Sequence, residues 1–364
     1  MKYTRSCLIL RVTCLVCWLG MALVAIAAQG QTFAYVANAH SNSVSVIDTA
    51  SHKVVGTVAV GAYPWGLAIT PDGSRVYVAD TDSNSVSVID TRSKKLIDTV
   101  AVGDNPIGVA ITPDGSRAYV TNPFSNSVSV IDTATNSVTA TVSTENPYGA
   151  AITPNGISAY VPDSNDNLVS VIDTGSNTVT ATLTVGDNPI GVAITPDGTR
   201  VYVTNAFGFS LSVIDTATNT VTATVPVGGI PFWLAITPDG ARAYVANGAD
   251  GTVSVIDTAS NTAIATVKVG SVPFGVAITP DGARAYVTNS GESAVSVIDT
   301  VSNTVIDTVR VGYGPFGVAM TPGIGPPTNK NQCKKGGWRV FTIPEKFKNQ
   351  GDCISFVNAG QQGL

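Results

Sequence analysis

Charge and histidine are what this chain has least of. Charged residues make up 12% of the sequence and only His40 and His52 carry imidazole. So little charge, beside 44% hydrophobic residues, excludes a disordered chain and supplies apolar material for a large core. The formal net charge of −5 gives no reason to expect nucleic acid as a partner. Two histidines and no evident Ser/His/Asp grouping argue against the common nucleophilic hydrolase. No stretch shows helical periodicity, and no Asn-x-Ser/Thr sequon occurs.

Three of the five cysteines lie within the first 17 residues. Residues 1–28 read as a signal peptide: Lys2, Arg5 and Arg11 precede an apolar run from Val12 to Ala27 that ends in Ala25-Ile26-Ala27. A retained anchor is the competing reading, but the run is short for a membrane span and closes in small residues. The chain is therefore expected to be exported to the periplasm, the cell surface or the medium, with no membrane span after cleavage. Cys7, Cys14 and Cys17 leave with the signal, and no lipobox follows them. A lone pair in an exported chain, Cys333 and Cys353, is expected to form a disulfide.

What the chain has in abundance is itself. Tyr recurs at 35, 77, 119, 160, 202, 244 and 286, at spacings of 42 or 41 residues. An Ile-Asp-Thr triplet follows each Tyr, with its Asp at 48, 90, 132, 173, 215, 257 and 299. A Pro series runs in parallel, at 64, 106, 147, 189, 231, 273 and 315. Each unit reads as four short strands. In one of them Gly191–Thr195 is a continuous apolar run and Thr195-Pro-Asp-Gly198 a tight turn. Strands at 200–205 and 211–215 follow, and Thr220–Val227 alternates with period two.

Four strands in about 42 residues make a propeller blade. The first unit begins at Phe33 with the second strand type, and the last ends at Phe316–Met320 with the first. The expected fold is all-β: a seven-bladed β-propeller, four antiparallel strands per blade, closed by the C-terminal inner strand joining the N-terminal blade. Residues 29–322 would form it.

Tyr-Val-Thr-Asn at 119–122, 202–205 and 286–289, with Ile-Thr-Pro-Asp-Gly and Val-Ser-Val-Ile-Asp-Thr, resembles the YVTN β-propeller repeat family. The resemblance implies a bacterial or archaeal secreted or surface propeller and transfers no catalytic residue. Pro162 and Asn155 mark the fourth blade as the most divergent. Residues 323–328 read as a linker. Residues 329–364 read as a small basic module, similar to a short two-cysteine segment found at the C-terminus of secreted bacterial proteins.

Residues repeated in every blade serve the repeat itself. The Tyr series suits blade–blade faces, the Ile-Asp-Thr carboxylates suit Asx turns, and Arg75, Arg117, Arg200, Arg242 and Arg284 are expected to pair with those carboxylates. Function is sought where blades differ. The residues after the Pro series, Trp65, Ile107, Tyr148, Ile190, Phe232, Phe274 and Phe316, would form an apolar collar near the channel. His40 lies in a neighbouring loop. Asp104, Glu145 and Asp187, each followed by Asn-Pro, form an acidic arc that could hold Ca²⁺, or could merely initiate turns. No other cofactor is implied. These features fit a non-catalytic scaffold for an envelope protein or glycan, since loops on a rigid frame diversify cheaply. The rival is a propeller hydrolase, lactonase or lyase using the acidic arc with His40.

Overall fold

The computed structural model describes residues 31–323. The expected signal peptide at residues 1–28, the chain from residue 324 onward and the expected Cys333–Cys353 pair lie outside the described residues. The described chain folds into seven sheets, each of four antiparallel strands. The fifth blade is typical: inner strand Pro189–Ile194, second Arg200–Asn205, third Ser210–Asp215 and outer Thr220–Pro226. The ring closes as anticipated. Pro315–Met320 is the inner strand of the first blade, with Val318 opposite Val36 and Ala319 opposite Tyr35. The Thr321 amide donates to the Phe33 carbonyl at 2.8 Å, and the Phe33 amide donates back to Thr321 Oγ1 at 2.8 Å.

The second and third strands are buried on both faces, which is why Val, Ile and Tyr fill them. The outer strands are exposed except for one inward apolar residue, such as Val58 or Val225, so Thr and Ala dominate there. Each apolar cluster straddles two blades. Tyr35, Val44 and Val46 of the first blade pack with Val76, Val78 and Ile89 of the second. The last seam joins Ala34, Val36 and Ile47 to Tyr286, Val295 and Val297.

Tyrosine stitches these seams. Tyr77 Oη donates to Asn136 Oδ1 at 2.7 Å in the next blade and lies 3.4 Å from the Thr133 carbonyl. Tyr119, Tyr202 and Tyr244 repeat both contacts one blade on. Tyr286 Oη reaches the Thr49 carbonyl at 3.3 Å and so closes the ring. The accepting Asn sits at positive φ, which Asn tolerates. At two seams that position is held by Lys94 or His52, and the buried hydroxyls facing them, on Tyr35 and Tyr286, are pushed up to about 12 by desolvation.

The arginines do not pair with the turn carboxylates. Arg75 Nη1 donates to the Thr133 carbonyl at 2.5 Å, Arg117 to Thr174 at 2.6 Å and Arg242 to Thr300 at 2.5 Å, with Arg200 likewise on Thr258. The carboxylates are already occupied. Asp132 Oδ1 accepts the amides of Ala134 and Thr135 and the Thr135 hydroxyl. The Asx turn was read correctly. The arginine bond is a further blade-to-blade tie.

Removing the closing strand should open the ring. A chain ending at Gly314 loses the ladder to Phe33–Asn38 and uncovers the apolar flank of the first blade. Its melting temperature should fall by roughly 10 °C or more relative to a chain ending at Pro322, given about 2–4 °C per kcal/mol for a domain of this size. Equal melting temperatures would refute closure by the mixed blade.

Candidate functional site

One face of the ring gathers the loops that enter each blade and those between its second and third strands. They are hydrogen-bonded to each other. Ala39 and His40 amides donate to the carbonyls of Gly314 and Tyr313 at 2.9 and 3.1 Å. Asn42 Oδ1 accepts the Tyr63 amide at 3.0 Å, and Asn84, Asn126 and Asn167 repeat this clasp on Asn105, Asn146 and Asn188. The residue before each Pro has positive φ. Asn fills that position three times, at φ 60°, 44° and 53°, so the Asn of Asp-Asn-Pro serves the turn. Tyr63, Ile230 and Val272 hold the same conformation at φ 56°, 51° and 50°, which is strained for bulky or β-branched side chains.

The apolar collar is mostly a plug. Trp65 stacks on Phe316, centroids 4.5 Å apart and planes 3° apart. Phe274 meets both rings edge-on at 5.5 and 4.7 Å, and Phe232 and Trp233 lie 4.6 and 5.2 Å from Phe274. The stack continues outward through Tyr63 to His40, whose ring lies 5.2 Å from Tyr63 and 5.1 Å from Tyr313. Ile107, Ile190 and Phe274 are buried, at 3%, 7% and 5% exposure. Trp65, Tyr148, Phe232 and Phe316 are half-buried.

Inner strands pressed edge to edge explain this packing. The Gly66 amide donates to the Ile107 carbonyl at 2.9 Å, and Gly149 to Ile190 at 3.0 Å. A Cβ on Gly66 would lie 2.2 Å from that oxygen, and one on Gly317 2.4 Å from the Trp65 oxygen. The cavity bordered by Trp65, Phe274 and these glycines measures about 50 Å³, room for a few waters. Trp233 went unnoticed in the sequence. Its signal was there, since it replaces the Gly that follows the collar residue in the other six blades.

Asp104, Glu145 and Asp187 are exposed, each on its own loop. Asp104 Oδ1 accepts Asn84 Nδ2 at 3.2 Å. Among the described residues no three His, Cys, Asp or Glu side chains converge to hold a metal ion, so the arc does not assemble a shared calcium cage. Two other carboxylates were overlooked. Five blades end the second strand in Asn, whereas Asp80 and Asp163 take its place in the second and fourth. Both are buried, at 0% and 2% exposure, and each accepts one serine hydroxyl at 2.6 Å, from Ser87 and Ser170. Burial pushes Asp80 up to about 6. It pushes Asp163 up to about 7, with the charges of Asp166 and Glu145 adding to the effect.

No family model and no curated protein matches this chain. Solved structures do. Hydrazine synthase of Kuenenia stuttgartiensis aligns at TM-score 0.66 and 26% identity, over 71% of this chain and 90% of that one. A functionally unknown protein from Desulfotomaculum acetoxidans DSM 771 aligns at TM-score 0.71 and 21% identity, over 80% and 99%. The dihydro-heme d1 dehydrogenase NirN, in complex with DHE, aligns at TM-score 0.60 and 18% identity, over 76% and 63%. These likenesses support the seven-bladed propeller.

Two stability predictions follow from this face. A buried carboxyl with a raised pKa binds its proton more tightly in the folded than in the unfolded state. Its contribution is full below about pH 4 and is lost as pH rises through about 6 for Asp80 and about 7 for Asp163. The double variant Asp80→Asn, Asp163→Asn should match the parent near pH 4 and exceed it at pH 8, by on the order of 2 kcal/mol per site. A difference independent of pH would rule out the buried charge as its cause. Separately, Val272→Asn should relieve φ strain and raise the melting temperature by about 2–4 °C, for roughly 1 kcal/mol regained. A lower value would mean that Val272 contacts outweigh the strain.

Proposed function

We propose that this chain is a non-catalytic, extracytoplasmic binding scaffold, whose loop face docks an envelope protein or glycan. The observation that supports it most is where the blades differ. The strands, seams and opposite turns repeat almost residue for residue, while the loops of one face carry His40, Asp82, Phe124 and Phe207 at one position and Asp166, Asp250 and Glu292 at the next. Phe124, Phe207 and Tyr313 are 78%, 61% and 63% exposed there, and large exposed aromatics on a rigid frame suit recognition. The hydrolase or lyase alternative needs His40 beside an acid. Its ring neighbours are Tyr63 and Tyr313. Export rests on the N-terminal segment alone.

The test is capture from an envelope fraction by the mature chain. A partner retained by the parent should be lost by Phe207→Ser, Phe209→Ser, Tyr313→Ser and kept by Ala217→Ser, Val301→Ser on the opposite face. Equal retention by both variants overturns the assignment of the loop face.

A further inference from the structure

The charges of the loop face are all of one sign. Its entry loops carry Asp104, Glu145 and Asp187, and its second-to-third-strand loops carry Asp82, Asp166, Asp250 and Glu292. All seven are exposed. No Lys or Arg lies in any of these loops. Lys268 and Arg310 end outer strands on the rim, and the remaining described cations occupy the other end of the blades or its turns. The fold accounts for only three of the seven, Asp104 on Asn84 Nδ2 among them. Asp250 and Glu292 accept loop amides, from Gly229 at 2.6 Å and Ser271 at 3.0 Å. Asp82, Glu145, Asp166 and Asp187 hold no side-chain hydrogen bond among the described residues, and other blades place Phe, Gly or Ser at the same loop positions. Aromatic faces stand among the acids. Asp82 lies close enough to Tyr63 for its charge to raise the phenol above its ordinary range, after burial.

We infer that the loop face binds a cationic polypeptide segment, one carrying several Lys or Arg with apolar side chains between them. The inference rests on the reading of this face as the docking face and names its partner class. A Lys or Arg side chain is matched by a carboxylate beside an aromatic ring, which offers ion pairing and cation–π attraction together. Carboxylates spread over six blades suit an extended chain that crosses several loops. A single metal ion needs a converging oxygen cage, and a phosphate-bearing or otherwise anionic polymer is repelled. A neutral glycan would use the aromatics and leave the uniform charge without a role. The loops are already clasped to each other, so little ordering opposes binding.

The experiment uses the full mature chain and three labelled probes: an alternating Lys-Phe dodecapeptide, its Glu-Phe counterpart and a neutral β-glucan oligosaccharide. Binding is read by fluorescence anisotropy over a salt series. The Lys-Phe peptide should bind at least tenfold more tightly than either other probe, and should weaken as salt screens the face. The variant Asp82→Asn, Glu145→Gln, Asp166→Asn, Asp187→Asn should lose about tenfold or more at low salt with a melting temperature no lower than the parent's. A control, Ala134→Lys, Ala217→Lys, Ala259→Lys, Val301→Lys, makes the same change in net charge on the opposite face and should lose less than threefold. Equal losses overturn the inference, because attraction would then follow net charge alone. If the glucan or Glu-Phe peptide binds and the Lys-Phe peptide does not, the inference is wrong. Loss of that binding in the Phe207, Phe209, Tyr313 variant would still leave the docking face in place. Failure of all three probes also overturns the cationic partner, while envelope capture judges the scaffold separately.

Discussion

The buried tyrosine at each blade seam is the constraint on which the ring depends. Its ring fills the space between two sheets, where a large aromatic contributes the most apolar area. Its hydroxyl must then find a partner away from water, since an unmet buried donor costs more than the bond itself returns. The partner lies on the next blade, in the turn after Ile-Asp-Thr. That turn must be held in place, which is what the Asp does by accepting its amides. Arginine adds a second donor to the same turn. One buried hydroxyl thus explains why Tyr, Asp, Thr and Asn recur together, and Tyr286 on the Thr49 carbonyl makes the same demand of the closing seam.

A frame satisfied within itself leaves the loop face free to vary, though variation has costs. Asp80 and Asp163 place carboxyls where the repeat accommodates an amide, and their ionised forms are disfavoured by burial. The fourth blade carries several such departures at once. Thr144 replaces an entry-loop Gly and its buried hydroxyl has no hydrogen-bond partner among the described residues. Leu168 replaces a serine that elsewhere meets the Asn, and the inner strand shrinks to Ala151–Ile152. Across the ring, aromatics fill the axis and the inner strands are longer. The face is therefore built from two unlike halves on one repeated frame.

Similar rings occur in proteins named for different activities, hydrazine synthase and the dehydrogenase NirN among them. The ring alone does not choose among them. The choice lies in side chains that the frame does not need. Here those are four exposed acids without side-chain hydrogen bonds among the described residues, Asp82, Glu145, Asp166 and Asp187, and a few exposed aromatics, on loops whose backbones are already bonded to each other.

Blade number, strand order, closure by the C-terminal strand and the Tyr seams were legible in the sequence, because each is a local pattern repeated seven times. Period two marks a strand wherever it occurs, and a regular spacing counts blades without reference to contacts. What only the tertiary structure decided depends on residues far apart in the chain meeting at the axis or at a seam. Read in sequence, Ile107 and Phe274 are equivalent to Trp65. Folded, Ile107 and Phe274 are buried and Trp65 is half-buried, while Trp65 and Phe274 both border the axial cavity. In sequence the arginines stand as partners for the turn carboxylates, whereas in the fold turn amides occupy those oxygens and the arginines bond carbonyls of the turn in the next blade. Asp104, Glu145 and Asp187 share a position in the repeat, and the repeat itself holds them on separate loops: rotation about the ring axis sends equivalent residues outward to different blades, so likeness in sequence becomes separation in space.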